Sequence, residues 1–208
     1  MKKIYLILIV LIFCKVSAQT EFGVKAGYNL SNMKWNIPGF ADYKYDSNSY
    51  FYIGGLAEHH LSDQFSVQAE LIYTEIGGGR NEIITTIVGN EVLEIGNANV
   101  KILTSQIQVP VSAKFYPTSN FSLSGGLNFG FNINSRVKTD FSSDQLYNGK
   151  TTLFKSVNIF PFLGTEYKFN NRVFVDARYH FGLFNAAKEY APETKINFFQ
   201  VGIGYRFK

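Results

Sequence analysis

The chain has 208 residues, with 20 Lys and Arg against 16 Asp and Glu, 46% hydrophobic and 16% aromatic residues, and one cysteine. Three of the bases, Lys2, Lys3 and Lys15, stand in the first fifteen positions, so the rest is nearly neutral. With no run of Lys or Arg, a nucleic-acid partner is excluded, and a single cysteine rules out a disulfide scaffold.

The N-terminus reads as a secretory signal peptide over 1–18. Lys2 and Lys3 give the charged start, Ile4 to Phe13 the apolar run, and Val16-Ser17-Ala18 the small residues before a cut ahead of Gln19. The run is too short for a spanning helix, which needs about 20 apolar residues. Cys14 follows the bulky Phe13, which does not suit a lipid anchor. The remaining 19–208 is expected to form one domain.

Eight segments of roughly ten residues then alternate apolar and small or polar side chains, the period of a strand with two different faces. The first, Glu21 to Ser31, sets Phe22, Val24, Ala26, Tyr28 and Leu30 against Gly23, Lys25, Gly27 and Asn29. The second spans about Tyr50 to Leu61, and the third Phe65 to Ile76, where Phe65, Val67, Ala69, Leu71 and Tyr73 oppose Ser66, Gln68, Glu70 and Thr74. The fourth runs from about Leu103 to Tyr116, the fifth from Phe121 to Asn132, the sixth from about Ser156 to Phe169 and the seventh from Val173 to Leu183. The eighth ends the chain, with Phe199, Val201, Ile203, Tyr205 and Phe207 against Phe198, Gln200, Gly202, Gly204 and Arg206. Pro110 and Pro161 weaken the ladder where they stand.

Short turns, Ser62-Asp63-Gln64, Pro117 to Asn120 and Asn170-Asn171-Arg172, alternate with long connections at about 32–49, 77–102, 133–155 and 184–194. This alternation and the even strand count predict an all-β, eight-stranded antiparallel up-and-down transmembrane barrel, with both termini at the short-turn end. The apolar face is expected to point outward. About 35 bulky side chains do not fit inside eight strands, whose interior only just admits side chains, whereas each one buried in lipid gains roughly 1.5–3 kcal/mol. The lumen then holds Lys25, Glu58, Glu70, Lys114, Glu166, Lys168, Asp176, Arg178 and Arg206. Mixed charges in a narrow tube call for an ion-pair network that plugs it. Glu70 with Lys114 and Glu166 with Arg178 are the expected partners. Eight strands leave no open aqueous channel, so the plug takes precedence over a proton or solute path.

The stretches 54–78, 107–117, 174–185 and 201–207, above all Glu70-Leu71-Ile72-Tyr73 and Asp176-Ala177-Arg178-Tyr179, resemble the PorT-like outer-membrane β-barrel domain, and in architecture the small OmpX and OmpA barrels. Gln108 stands where many relatives carry Glu. The C-terminal Gln200, Gly202, Tyr205 and Phe207 resemble the signal read by the barrel-assembly machinery. The resemblance implies an outer-membrane location, with that machinery and membrane lipid as partners, and little about activity. PorT itself is linked to a secretion system, so an accessory role in protein secretion is one alternative function.

Enzymatic chemistry finds little support. Gly77-Gly78-Gly79 precedes no helix and reads as a strand exit, not a phosphate cradle. His59 and His60 are strand neighbours pointing to opposite faces, so they do not share one metal ion. No cofactor, metal or catalytic residue is assigned. The second alternative, an outer-membrane lipid A deacylase, rests on His60-Leu61-Ser62 with Glu70 on the next strand, and a serine nucleophile needs a base within hydrogen-bond reach. Recognition is expected in the long loops. Loop 77–102 is read as strands continuing into a β-ribbon, and loop 32–49 carries Trp35, Phe40, Tyr43 and Tyr45. Both are candidate contacts for a protein partner.

Overall fold

A computed structural model describes residues 19–39, 42–88, 91–139, 149–170 and 172–207. The signal-peptide reading and Phe40 lie outside the described residues. Among the described residues ten strands occur: β1 Thr20–Asn36, β2 Tyr43–Lys44, β3 Asn48–His60, β4 Phe65–Val88, β5 Glu91–Thr118, β6 Phe121–Thr139, β7 Gly149–Lys150, β8 Val157–Lys168, β9 Val173–His180 and β10 Glu193–Arg206. Eight of them form an antiparallel ring in the order β10-β9-β8-β6-β5-β4-β3-β1. The ring closes where β1 pairs with β10, from Gly23↔Arg206 to Asn36↔Glu193. The two-residue β2 and β7 lie outside it, on β1 and β6.

The short turns are set by side chains that satisfy turn amides. Ser62 Oγ accepts from the Phe65 N–H at 3.1 Å, and Asn170 Oδ1 accepts from the Arg172 and Val173 N–H groups, each at 2.8 Å. Along each strand burial alternates with the sequence pattern. Phe22, Leu71 and Val201 are exposed at 58%, 59% and 47%, while Lys25, Glu58 and Arg206 are buried. The apolar side chains therefore coat the outside, and the interior takes the polar set.

The ribbon read over 77–102 is present, and the interior departs from the sequence reading. β4 and β5 run for 24 and 28 residues and stay paired out to Val88↔Glu91, well past the other strands. A transmembrane strand needs only about 9–11 residues, so the extra length is a two-stranded ribbon standing on the long-loop end. The interior, in addition, is not small and polar throughout. Tyr52, Leu56, Ile72, Ile76, Phe160, Phe162, Phe174 and Phe198 are buried there. Glycines opposite make the room. A Cβ on Gly202 would lie 2.0 Å from Tyr52 Oη, and one on Gly204 2.1 Å from Phe174 Cζ.

Candidate functional site

The charged half of the interior forms two groups near the short-turn end. In the first, Lys25 Nζ lies 2.6 Å from Asp176 and 3.3 Å from Glu70, while Arg178 bonds Glu70 and sits 3.1 Å from Asp176. In the second, Lys114 Nζ lies 2.9 Å from both Glu58 and Glu166, and Arg206 reaches Glu58 at 2.6 Å and Glu166 at 2.8 Å. Each group holds two cations and two carboxylates, so each is neutral. Ser66 and Tyr116 both donate to Glu58 Oε1, and Gln68 donates to Glu70.

These partners differ from those read off adjacent strands. Register is the reason. Lys114 stands opposite Ser66, two interior positions along β4 from Glu70, and Arg178 stands opposite Gly164. Glu166 is directly opposite Asp176, a like-charge pair that is unfavourable in isolation. The conflict is relieved by turning each carboxylate to cations of a different group, Glu166 to Lys114 and Arg206 and Asp176 to Lys25, each over one intervening strand, and to Arg178 of its own strand. Glu21, Tyr52 and Tyr116 were not singled out by the sequence reading. Strand parity was the available signal: Glu21 is four residues before Lys25, and Tyr116 two after Lys114 on the same face. Lys168 lies with its ammonium 4.5 Å from the Tyr116 ring centre.

Above the ions the interior turns to amides and rings. Gln106, Gln108, Gln200 and His180 form a hydrogen-bonded chain with steps of 2.9, 3.4 and 3.1 Å. His180 is flanked by Phe198 at 4.1 Å and Phe162 at 4.9 Å between ring centres. Phe198 continues into a cluster with Met33, Ile76, Ile102, Phe154, Phe160, Ala186 and Ile196. The bridge Phe154↔Ala187 ties two long-loop segments over this cluster. The tube is thus filled by ion pairs at one end and apolar side chains at the other.

The deacylase-like residues are not brought together. Glu70 is engaged by Lys25 and Arg178, and Ser62 Oγ accepts turn amides. Glu21, Glu58 and His60 place one ligand atom each within 4.8 Å of one another. Arg206 contacts both of these carboxylates, at 3.2 and 2.6 Å, so a cation already occupies the trio's charge. Gln200 and Gly202 of the C-terminal pattern face the interior, whereas Tyr205 and Phe207 are exposed outside.

On the long-loop side, Trp35 packs edge-on against Tyr45 at 5.2 Å, Arg80 lies 4.8 Å from the Tyr43 ring, and Asp46 bridges to Gly79. Burial there, with the neighbouring Glu82, pushes the Tyr45 phenol up to about 12. The segment 42–46 therefore buttresses the foot of the ribbon. Beyond Gly79 on β4, and before Val100 on β5, the outer edges pair with no further strand among the described residues.

A family model described as "Outer membrane protein beta-barrel domain" matches residues 17–188. Among curated proteins, none matches in sequence. Among solved structures, the attachment invasion locus protein Ail of Yersinia pestis, in complex with the heparin analogue sucrose octasulfate, is similar with a TM-score of 0.52 and 16% identity, over 91% of this chain and 99% of that one. Neisserial surface protein A gives a TM-score of 0.55 at 13% identity, over 89% and 97%.

Proposed function

We propose that this chain, which belongs to the outer membrane protein β-barrel domain family, is a closed barrel that holds a binding ribbon above the membrane. The observation that carries this reading is the contrast between a filled interior and the β4–β5 pair, which continues to Val88↔Glu91 with outer edges that pair with no further strand among the described residues. Main-chain donors and acceptors on such edges add a strand from an extended partner segment. Ile83, Val92 and Leu93, exposed at 58%, 66% and 45%, supply apolar contacts beside them. In this reading the short turns face the periplasm and the ribbon faces outward.

The finer placement among PorT-like barrels is supported by one grouping: Glu70, Asp176 and Arg178, from the two most distinctive stretches, meet in a single ion group. A partner in a secretion assembly is one user of the ribbon consistent with this placement. The test is co-purification in mild detergent of the full chain and of a variant in which 80–99 is replaced by Asn-Gly. The reading expects a specific partner with the full chain and its loss with the variant. Equal recovery from both removes the ribbon from the function.

A further inference from the structure

The outward face of the barrel wall changes character abruptly at the long-loop end of β6. Tyr73, Ile107 and Phe131 form one outward rung, and Tyr73 and Phe131 are exposed at 48% and 44%. The next rung is Glu75, Ser105 and Asn134. A bulge at Ser105/Gln106 absorbs Ile133 and keeps Asn134 on the outer side. The two rungs after that carry the bases, Arg136 beside Leu103 of β5 and Lys138 beside Lys101. Arg136 stands directly opposite Lys150 of β7, and Lys138 directly opposite Lys101 of β5.

Directly opposed like charges on one face are destabilising. Here two such pairs are adjacent. Glu75 answers only Arg136, at 2.8 Å, and Lys101, Lys138 and Lys150 have no acidic partner among the described residues. A groove of about 600 Å³ runs beside them, lined by Arg136, Lys138 and Lys150. The same sequence of rungs recurs across the barrel. Leu30↔Phe199 is followed by Asn32↔Asn197 and then by Lys34↔Lys195, with Lys44 opposite Lys34 on its other side. There, however, Asp42 and Glu193 already accompany Lys34 and Lys195.

From this we infer that Lys101, Arg136, Lys138 and Lys150 form a binding site for the phosphate headgroup of an acyl-chain lipid in the leaflet at the long-loop end. Charge selects the phosphate, because three lysines and an arginine stand on adjacent rungs with a single acid, Glu75, paired to them among the described residues. Position selects a lipid over a free anion. The basic rungs begin one polar rung above exposed Tyr73 and Phe131, so a lipid whose chains lie on that apolar wall brings its headgroup to the lysines. The inference rests on the membrane-embedded reading above.

The test uses the folded full chain in nonionic detergent, probed by native mass spectrometry with bisphosphorylated lipid A, dephosphorylated lipid A and inorganic pyrophosphate. The site predicts retention of the phosphorylated lipid only. The triple variant K101Q/K138Q/K150Q should retain it roughly a hundredfold less, about fivefold per lysine, and K101R/K138R/K150R should restore it. Equal retention of dephosphorylated lipid A, an unaffected glutamine variant, or equally tight pyrophosphate binding each overturns the site. Insertion into liposomes is measured in parallel. A protein that inserts without preferring the phosphate fails only this inference, while one that does not insert fails the membrane reading itself.

Discussion

At the scale of single residues, the glycines of the last strand define how the interior is filled. Gly204 faces the ring of Phe174, which is fully buried and lies 4.2 Å from the Arg206 guanidinium. The ring has no free space to retreat into, because Arg206 is itself held by Glu58 and Glu166. Gly204→Val is therefore expected to overpack the site and destabilise the barrel by about 1–3 kcal/mol, read as a lower midpoint of urea unfolding in detergent, while a double variant Gly204→Val/Phe174→Ala recovers part of the loss. An unchanged midpoint for the single variant would show that the ring moves freely. The glycine spacing was visible in the sequence as part of a terminal pattern. Its packing role was not, since the ring it accommodates comes from β9.

At the scale of elements, the ribbon and the barrel are separable. The ring ladder from Thr74↔Gln106 to Phe65↔Phe115 lies entirely below Gly77, so replacing 80–99 by a two-residue turn leaves it intact. The shortened protein is expected to fold to the same heat-modifiable form, with a stability change below about 1 kcal/mol, since loop length enters closure entropy only logarithmically. Failure to fold would make the ribbon part of the barrel's nucleus. Strand positions in the ring were legible because lipid outside and side chains inside impose a strict period of two, as in Phe22 to Leu30 and Phe199 to Phe207. Strand ends were not. The bulge at Ser105/Gln106 shifts the phase, and a second irregularity falls between Ile84 and Thr85, so alternation breaks while pairing continues. β2 and β7 pair over two residues each, too few for any pattern to register.

At the scale of the whole molecule, the interior has two seals of different chemistry. The residue types of the ion layer were readable from strand parity, but their partners were not, because Lys114 meets Glu166 and Lys25 meets Asp176 over an intervening strand and not along neighbouring strands. The aromatic seal was missed, since Phe160, Phe162 and Phe198 interrupt a face that elsewhere carries glycine, amides and charge. The two layers respond differently to damage. Glu58 is fully buried and receives Lys114, Arg206, Ser66 and Tyr116. Glu58→Ala leaves the buried Lys114 and Arg206 sharing the single buried carboxylate of Glu166, an uncompensated charge expected to cost about 3–5 kcal/mol. It leaves the stack of Phe162, His180 and Phe198 untouched. In planar bilayers the wild type is therefore expected to show no conductance steps, and Glu58→Ala to stay closed while unfolding at lower urea. Steady conductance from the single variant would mean that the ions alone hold the barrel shut and that the ring layer passes water. Closure that yields only when Phe162 and Phe198 are also cut to alanine would assign the barrier to the rings and leave stability to the charges.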